Sequence, residues 1–316
     1  MAWVLRRIGA SLLLVWVVVT VVFMAIHLVP GDPAELLLSQ GGSAPDPAAV
    51  AALRGQLGLD RPLLAQYGSD LVGLLHGDLG LSLQDQSPVA ADIAQRLPRT
   101  IELLCAASIL ALGFGVPLGT LAGIAPGGML DRAGAAVSAL LLSVPVFVVG
   151  TLLVLVFAEQ LGWADAGGFV PIDRSLAGHF AHLAMPALTI ALGLGAMLYR
   201  ITRAAVLDVA LRDYVRTARA KGVAPRRILW RHVLRNALSP VVTVFGLQFG
   251  ALIGGTVLVE YVFNYPGLSG LLVDAVNARD YPLVQGIVLV ISVLFVAINL
   301  TLDLLYAALD PRVRGR

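Results

Sequence analysis

A few groups of residues in this 316-residue chain have the types and spacing that chemistry would need. Gly267-Leu268-Ser269-Gly270 has the Gly-x-Ser-Gly form of membrane serine proteases, whose serine requires a histidine base within reach. The last histidine is His232, which the map below puts on the opposite side of a membrane. The serine therefore reads as part of a glycine-rich turn, and no catalytic residue is assigned. His179 and His182 stand three apart and could touch a metal. There is no His-Glu-x-x-His spacing, so a wet interfacial position suits them better and no metal site is expected. Cys105 is the only cysteine, which excludes an intrachain disulfide or a cysteine metal cluster. Lys221 is the only lysine, and no Gly-x-x-x-x-Gly-Lys-Ser/Thr loop surrounds it, so the chain should not hydrolyse ATP alone.

Polar groups inside apolar runs are functional candidates by default. Gln248 is one, and Asn299 and Asp303 share a face one turn apart. These three are the candidates for lining a path. Asp303 is better suited to holding helices together or binding a loop arginine, and Glu260 falls where it can reach water.

The elements that would position these residues follow from composition. The chain is 58% hydrophobic and 13% charged, against about 25% charged in soluble domains. It reads as an all-α integral membrane protein. Six apolar runs approach the length that a bilayer demands: 8–28, 101–124, 133–157, 183–206, 238–259 and 284–307. The first has no small-x-small cleavage site after it and is expected to remain as a span. On this map sixteen basic residues lie on one side and six on the other. Positive loops stay cytoplasmic, so both termini are expected there. The chain then reads as one transmembrane domain over 1–316, with an outer loop at 29–98 and a cytoplasmic loop at 207–237. In the outer loop, residues 62–75 repeat apolar side chains at helical spacing and predict an amphipathic helix. Ala107, Ala111, Gly115, Gly119 and Gly123 recur every four residues, as do Gly246, Gly250 and Gly254. Such stripes let membrane helices approach closely.

The cytoplasmic loop is the most informative segment. Ten basic residues lie between Arg200 and Arg235, opposed only by Asp208 and Asp213. A polar helical run over 213–220 meets Lys221-Gly222. A second run starts at Pro225, which suits a first helical turn. Leu229/Trp230, Val233/Leu234 and Ala237/Leu238 fall on one helical face of that second run, and Arg227, Arg231 and Arg235 on another. Contact with anionic lipid headgroups accounts for those arginines, but not for the preceding helix or the glycine break. A helix–glycine–helix on the inner face suits docking of a soluble partner.

The string Asp213-Tyr214-Val215-Arg216-Thr217-Ala218-Arg219-Ala220-Lys221-Gly222, continuing through Arg226-Arg227-Ile228-Leu229 to Ser239-Pro240, resembles the cytoplasmic loop of ABC-importer permeases. It is most similar to the B-type permease of dipeptide and oligopeptide importers. Pro30-Gly31-Asp32-Pro33, Gly77-Asp78-Leu79-Gly80, Phe263-Asn264-Tyr265-Pro266-Gly267-Leu268 and Asp310-Pro311-Arg312-Val313-Arg314 extend the resemblance over nearly the whole chain. The family's general Glu-Ala-Ala reads Arg216-Thr217-Ala218 here, as in its peptide branch. The resemblance implies a type I importer bundle in a bacterial plasma membrane, with Ala218, Gly222, Val223, Ala224 and Pro225 at or near the contact with a cytoplasmic ATPase. It also implies a second, similar permease, an external substrate-binding protein, and ATP and Mg used by the ATPase rather than by this chain. No nucleic-acid partner is expected. The implied cargo is a short peptide; nickel chelates, haem, glutathione or sugars are the family's alternatives. A rival from another class is an ion-coupled carrier with Asp303 and Glu260 as proton sites.

Overall fold

Long apolar runs must satisfy their backbone groups internally when they leave water, and a helix does so within one segment. The computed structural model describes residues 2–28, 33–38, 46–56 and 60–309. The motif residues at 30–32 and 310–316, and the glycine-rich stretch at 41–45, lie outside these. In chain order the helices are α1 (Ala2–Leu28), α2 (Pro33–Leu38), α3 (Pro47–Gln56), α4 (Leu63–Leu75), α5 (Val89–Ile124), α6 (Met129–Ser143), α7 (Val146–Leu153), α8 (Leu176–Ala210), α9 (Asp213–Ala220), α10 (Pro225–Arg227), α11 (Arg235–Gly255), α12 (Val257–Val262), α13 (Leu268–Asn277) and α14 (Tyr281–Leu309). Two π-helical stretches, Val154–Gln160 and Ile228–Leu234, continue α7 and α10. Among the described residues the one isolated extended pairing joins Leu81 to Pro88.

Four of these helices are long and apolar enough to cross a membrane, and the number rises to five if the pair α6 and α7 with its π continuation is one span. The helix expected over 238–259 is present as α11 but is not among the four. Two expectations about spans need correction. The run 133–157 is not one straight helix: Met129–Ser143 and Val146–Gln160 meet at 105°. Pro145 disfavours the helical region for Val144, and both adopt extended backbone, with φ −98°, ψ 130° and φ −57°, ψ 140°. The second run starts twelve residues earlier than its apolar stretch, because α5 begins at Val89 and continues through Pro98. The 62–75 prediction holds as α4.

The chain divides into two compact units. In the unit made of 1–98 and 268–301, Val89, Ile93, Leu268, Ala275, Leu283 and Ile287 form the core. The Gly77-Asp78-Leu79-Gly80 motif has a local reason. Gly77, at φ 77°, closes α4, with its N–H bonded to Leu74 O and Asp78 N–H bonded to Gly73 O. Asp78 Oδ1 then accepts from Gly80 N at 2.9 Å, and Leu79 packs on the core. Asp280 is buried and accepts from Ser82 Oγ (2.5 Å), Leu83 N (3.2 Å) and Leu283 N (3.3 Å). It thus ties the 80s loop to the start of α14 while capping that helix.

In the unit made of 99–267 and 302–316, α8 is the central helix, and α6, α7 and α11 pack on it. Ala107 and Ala111 are fully buried. Gly115, Gly119 and Gly123 let α5 meet α8 backbone to backbone: a Cβ on Gly119 would lie 2.6 Å from Tyr199 O. The small-residue stripe of α5 is therefore a close-packed seam within this unit. At the end of the seam Asp131 is buried and forms a forked ion pair with Arg203, with Nη2 to Oδ2 at 2.9 Å. Asp131 also accepts from Gly127 N at 2.8 Å.

Candidate functional site

The elbow at Gly222 is built from backbone hydrogen bonds. Gly222 N–H bonds to Arg219 O at 3.0 Å and Val223 N–H to Ala218 O at 3.2 Å. That pattern, with the glycine at φ 73°, is a Schellman closure of α9. It usually carries an apolar contact between the residue after the glycine and the third residue from the helix end. Val223 and Ala218 supply that contact, within a cluster of Val206, Val215, Ile228, Val233, Leu234 and Ala237. Ala224 then precedes Pro225 at the first position of the next helix, and Ile228 N–H bonds to Ala224 O at 3.1 Å. Asn236 Nδ2 donates to Tyr214 Oη (3.3 Å) and to His232 O (2.8 Å), strapping α9 to the returning helix.

Four of the five residues assigned to the contact form the turn itself. Gly222, Ala224 and Pro225 are exposed and Val223 is half-buried. Ala218 is buried beneath them and supports the turn from inside. A Cβ on Gly222 would meet nothing within 4 Å, so the glycine is required by its backbone angle rather than by crowding. Arg219, Lys221, Arg226, Arg227 and Arg231 are exposed and form no ion pair among the described residues. The Arg212 guanidinium bonds to Asp208 at 2.8 Å, which pushes its pKa up.

The helical face expected for the second run needs one correction. Ile228, Val233, Leu234 and Ala237 are buried, whereas Trp230 is 71% exposed. The five-residue step from Ile228 to Val233 matches the i→i+5 bonding of a π-helix. One wide turn rotates Trp230 out among the arginines, and an α-helical projection could not reveal it.

The proposed path residues are more dispersed. Gln248 is half-buried on α11. Asn299, on α14, donates its amide to Phe295 O of its own helix at 2.8 Å. Asp303 also belongs to α14, but its side chain lies outside the described residues.

A second polar cluster was not assembled from sequence. His179 is buried, with Nδ1 2.8 Å from Val170 O and Nε2 2.6 Å from Glu102 Oε1. Glu102 Oε2 lies 3.5 Å from Tyr265 Oη. The Arg99 guanidinium sits 4.5 Å from the Phe169 ring centroid, and that ring meets both His179 and Tyr265 edge-on. Burial, reinforced by Glu102 and Glu260, pushes the Tyr265 hydroxyl pKa up. Glu260 is 1% exposed and accepts from Thr100 Oγ1 at 2.8 Å, so it is not the water-reaching residue the sequence indicated. His179 is likewise buried rather than wet, while His182 keeps partial exposure and faces Asp165 at 3.4 Å. Ser269 is buried in the first turn of α13, not in a turn. Among the described residues no group of three or more His, Cys, Asp or Glu could hold a metal ion. The nearest sequence signals for this cluster were Phe263-Asn264-Tyr265-Pro266-Gly267, whose Phe263 and Tyr265 prove to be buried.

Residues 115–315 match the family of binding-protein-dependent transport system inner membrane components, and residues 1–104 match the N-terminal membrane component of the same systems. The chain is 40% identical over 312 residues to the glutathione transport system permease protein GsiC of Escherichia coli K12, covering 99% of this chain and 98% of that one. The GsiC of Pectobacterium atrosepticum is 43% identical over 298 residues, 94% of each chain. A chain of the MetNI methionine ABC transporter, solved in inward-facing conformations, shares the fold with a TM-score of 0.59 at 16% identity, over 71% of this chain and 98% of that one. An elbow exposed on the basic loop of a multi-helix membrane protein and a family match over both halves lead to one conclusion: this chain belongs to the inner-membrane permeases of binding-protein-dependent ABC importers.

Proposed function

We propose that this permease forms half of the pathway of an importer for short peptides, glutathione included, and takes its driving force through the Gly222 elbow. A tripeptide such as glutathione falls within the short-peptide class, and the named relatives support it as cargo. The permease crosses the membrane six times with both termini in the cytoplasm, beside a second permease in a heterodimer. An external binding protein delivers cargo to the outer loop at 29–98. ATPase subunits, using ATP and Mg, grip the loop at 207–237. This chain supplies no nucleotide site, since the sequence has no phosphate-binding loop.

The observation that carries this reading is the closed turn at Ala218–Val223, stiffened by an apolar cluster below and bare above. Transport requires ATP to favour one membrane conformation over another through contacts that differ between the two. A rigid exposed turn can transmit that preference, and a flexible loop cannot. Gln248, Asn299 and Asp303 remain the candidates for the pathway.

The test is a reconstituted importer carrying Gly222→Asp or a deletion of 223–225. The reading expects normal insertion and residual ATP hydrolysis with uptake lost. Unchanged uptake rejects the coupling role. Uptake that collapses with the proton gradient and ignores ATP depletion would instead favour the ion-coupled carrier. A ligand screen on the partner binding protein separates glutathione from longer peptides.

A further inference from the structure

The helix α4 is inverted relative to a helix on a water-facing surface. None of its thirteen residues is buried, and of the seven exposed ones only Ser69 is polar. At about 100° per residue, Leu64, Ala65, Gly68, Leu71, Val72 and Leu75 share one arc of about 120°. Leu64 and Leu75 are 85% and 86% exposed, and Val72 is 57% exposed. A Cβ on Gly68 would meet nothing within 4 Å. The opposite arc holds Gln66, Tyr67, Asp70 and Leu74, all partly buried, and at its first turn Leu63, which is exposed. The single charged residue of α4, Asp70, is thus on the packed side.

Where α4 is held says what covers that arc. Tyr67 Oη lies 2.6 Å from Thr20 Oγ1, and the Tyr67 ring is 5.1 Å from that of Phe23. Both partners belong to the membrane-crossing stretch Arg6–Ala25 of α1. Thr20 is eight residues short of Leu28, where α1 ends, about 12 Å at helical rise. Interfacial amphipathic helices lie about 5–10 Å into the headgroup and acyl boundary. Polarity agrees, and the contact lies inside the apolar stretch of α1.

We infer that α4 is an interfacial helix seated in the bilayer surface at the Leu28 end of α1, with Leu64, Val72 and Leu75 in lipid. The surrounding chemistry fits that seat. Arg61 and His76 flank the helix at its two ends, and Gln66 turns its amide back to Arg61 O at 2.8 Å. The outer loop is then attached to the membrane by this helix, which sets the height at which its remaining segments stand.

The test uses the full importer in nanodiscs of phosphatidylethanolamine and phosphatidylglycerol, with Cys105→Ser as background. Nitroxides are attached at Leu64→Cys, Leu75→Cys and, as a polar-side reference, Ser69→Cys. Retained uptake certifies each labelled complex, and Val72→Cys replaces either apolar site if a label disturbs assembly. Lipid contact predicts that oxygen collisions outweigh those with a water-soluble nickel chelate at Leu64 and Leu75, and that the balance shifts toward the chelate at Ser69. Collisions dominated by the chelate at both apolar sites would put the arc in water. Exclusion of both reagents would mean that a protein surface covers it. Either result overturns the inference.

Discussion

The Glu260 carboxyl occupies the space that a Gly267 side chain would need: a Cβ there would fall 2.3 Å from the carboxyl carbon. Glu260 is buried, and Thr100 donates to it at 2.8 Å. Gly267→Ala must therefore push an anchored acid off its partner. A loss of about 2–3 kcal/mol is expected from overpacking and a weakened buried hydrogen bond. The thermal midpoint of the purified complex checks it; an unchanged midpoint would mean that the turn is softer than its contacts imply.

Glycines of α5 and α8 separate by what faces them. Gly119→Ala would bring a methyl to 2.6 Å from backbone at Tyr199, which has no rotamer to yield, whereas Gly193 has nothing within 4 Å. Gly119→Ala should destabilise α5 against α8. Gly193→Ala should be neutral or stabilise by up to about 1 kcal/mol through helix propensity. Comparing the two melting points decides whether the every-four spacing is a packing device at this seam.

The ion pair of Asp131 and Arg203 should be strongly coupled. Asp131 is 6% exposed at its side chain and Arg203 33%. Asp131→Asn or Arg203→Met alone leaves the other charge poorly solvated and should cost about 2–3 kcal/mol. The double substitution should cost less than the sum of the singles. Additive losses in that double-mutant cycle would reduce the pair to a surface contact.

Removing Glu102 deprives buried His179 of one of two partners, the other being Val170 O. Glu102→Ala should cost about 1–3 kcal/mol, and Glu102→Gln, which keeps a hydrogen-bonding group at the same place, less. Equal stability of the two variants would show that the ring is satisfied without Glu102.

Helix positions and the elbow were legible because their signals are local. Apolar runs of bilayer length mark α1, α8 and α14, helical spacing over 62–75 marks α4, and a glycine between two runs with a following proline marks the turn at Gly222. Other features were hidden because they depend on geometry that periodicity does not carry. Val144-Pro145 turned one apolar run into two helices at 105°. A π turn moved Trp230 to the surface. His179 and Glu102 stand 77 positions apart, and only the packing of α8 against α5 brings them together.

The most direct measurement is photo-crosslinking from the exposed turn. A photoreactive side chain in place of Ala224 is examined in the assembled importer with its ATPase subunits. An adduct to the ATPase that strengthens or weakens with nucleotide is expected, since the gripping contacts must differ between transport states. An importer that transports normally while position 224 forms adducts only with lipid, or none, would contradict it.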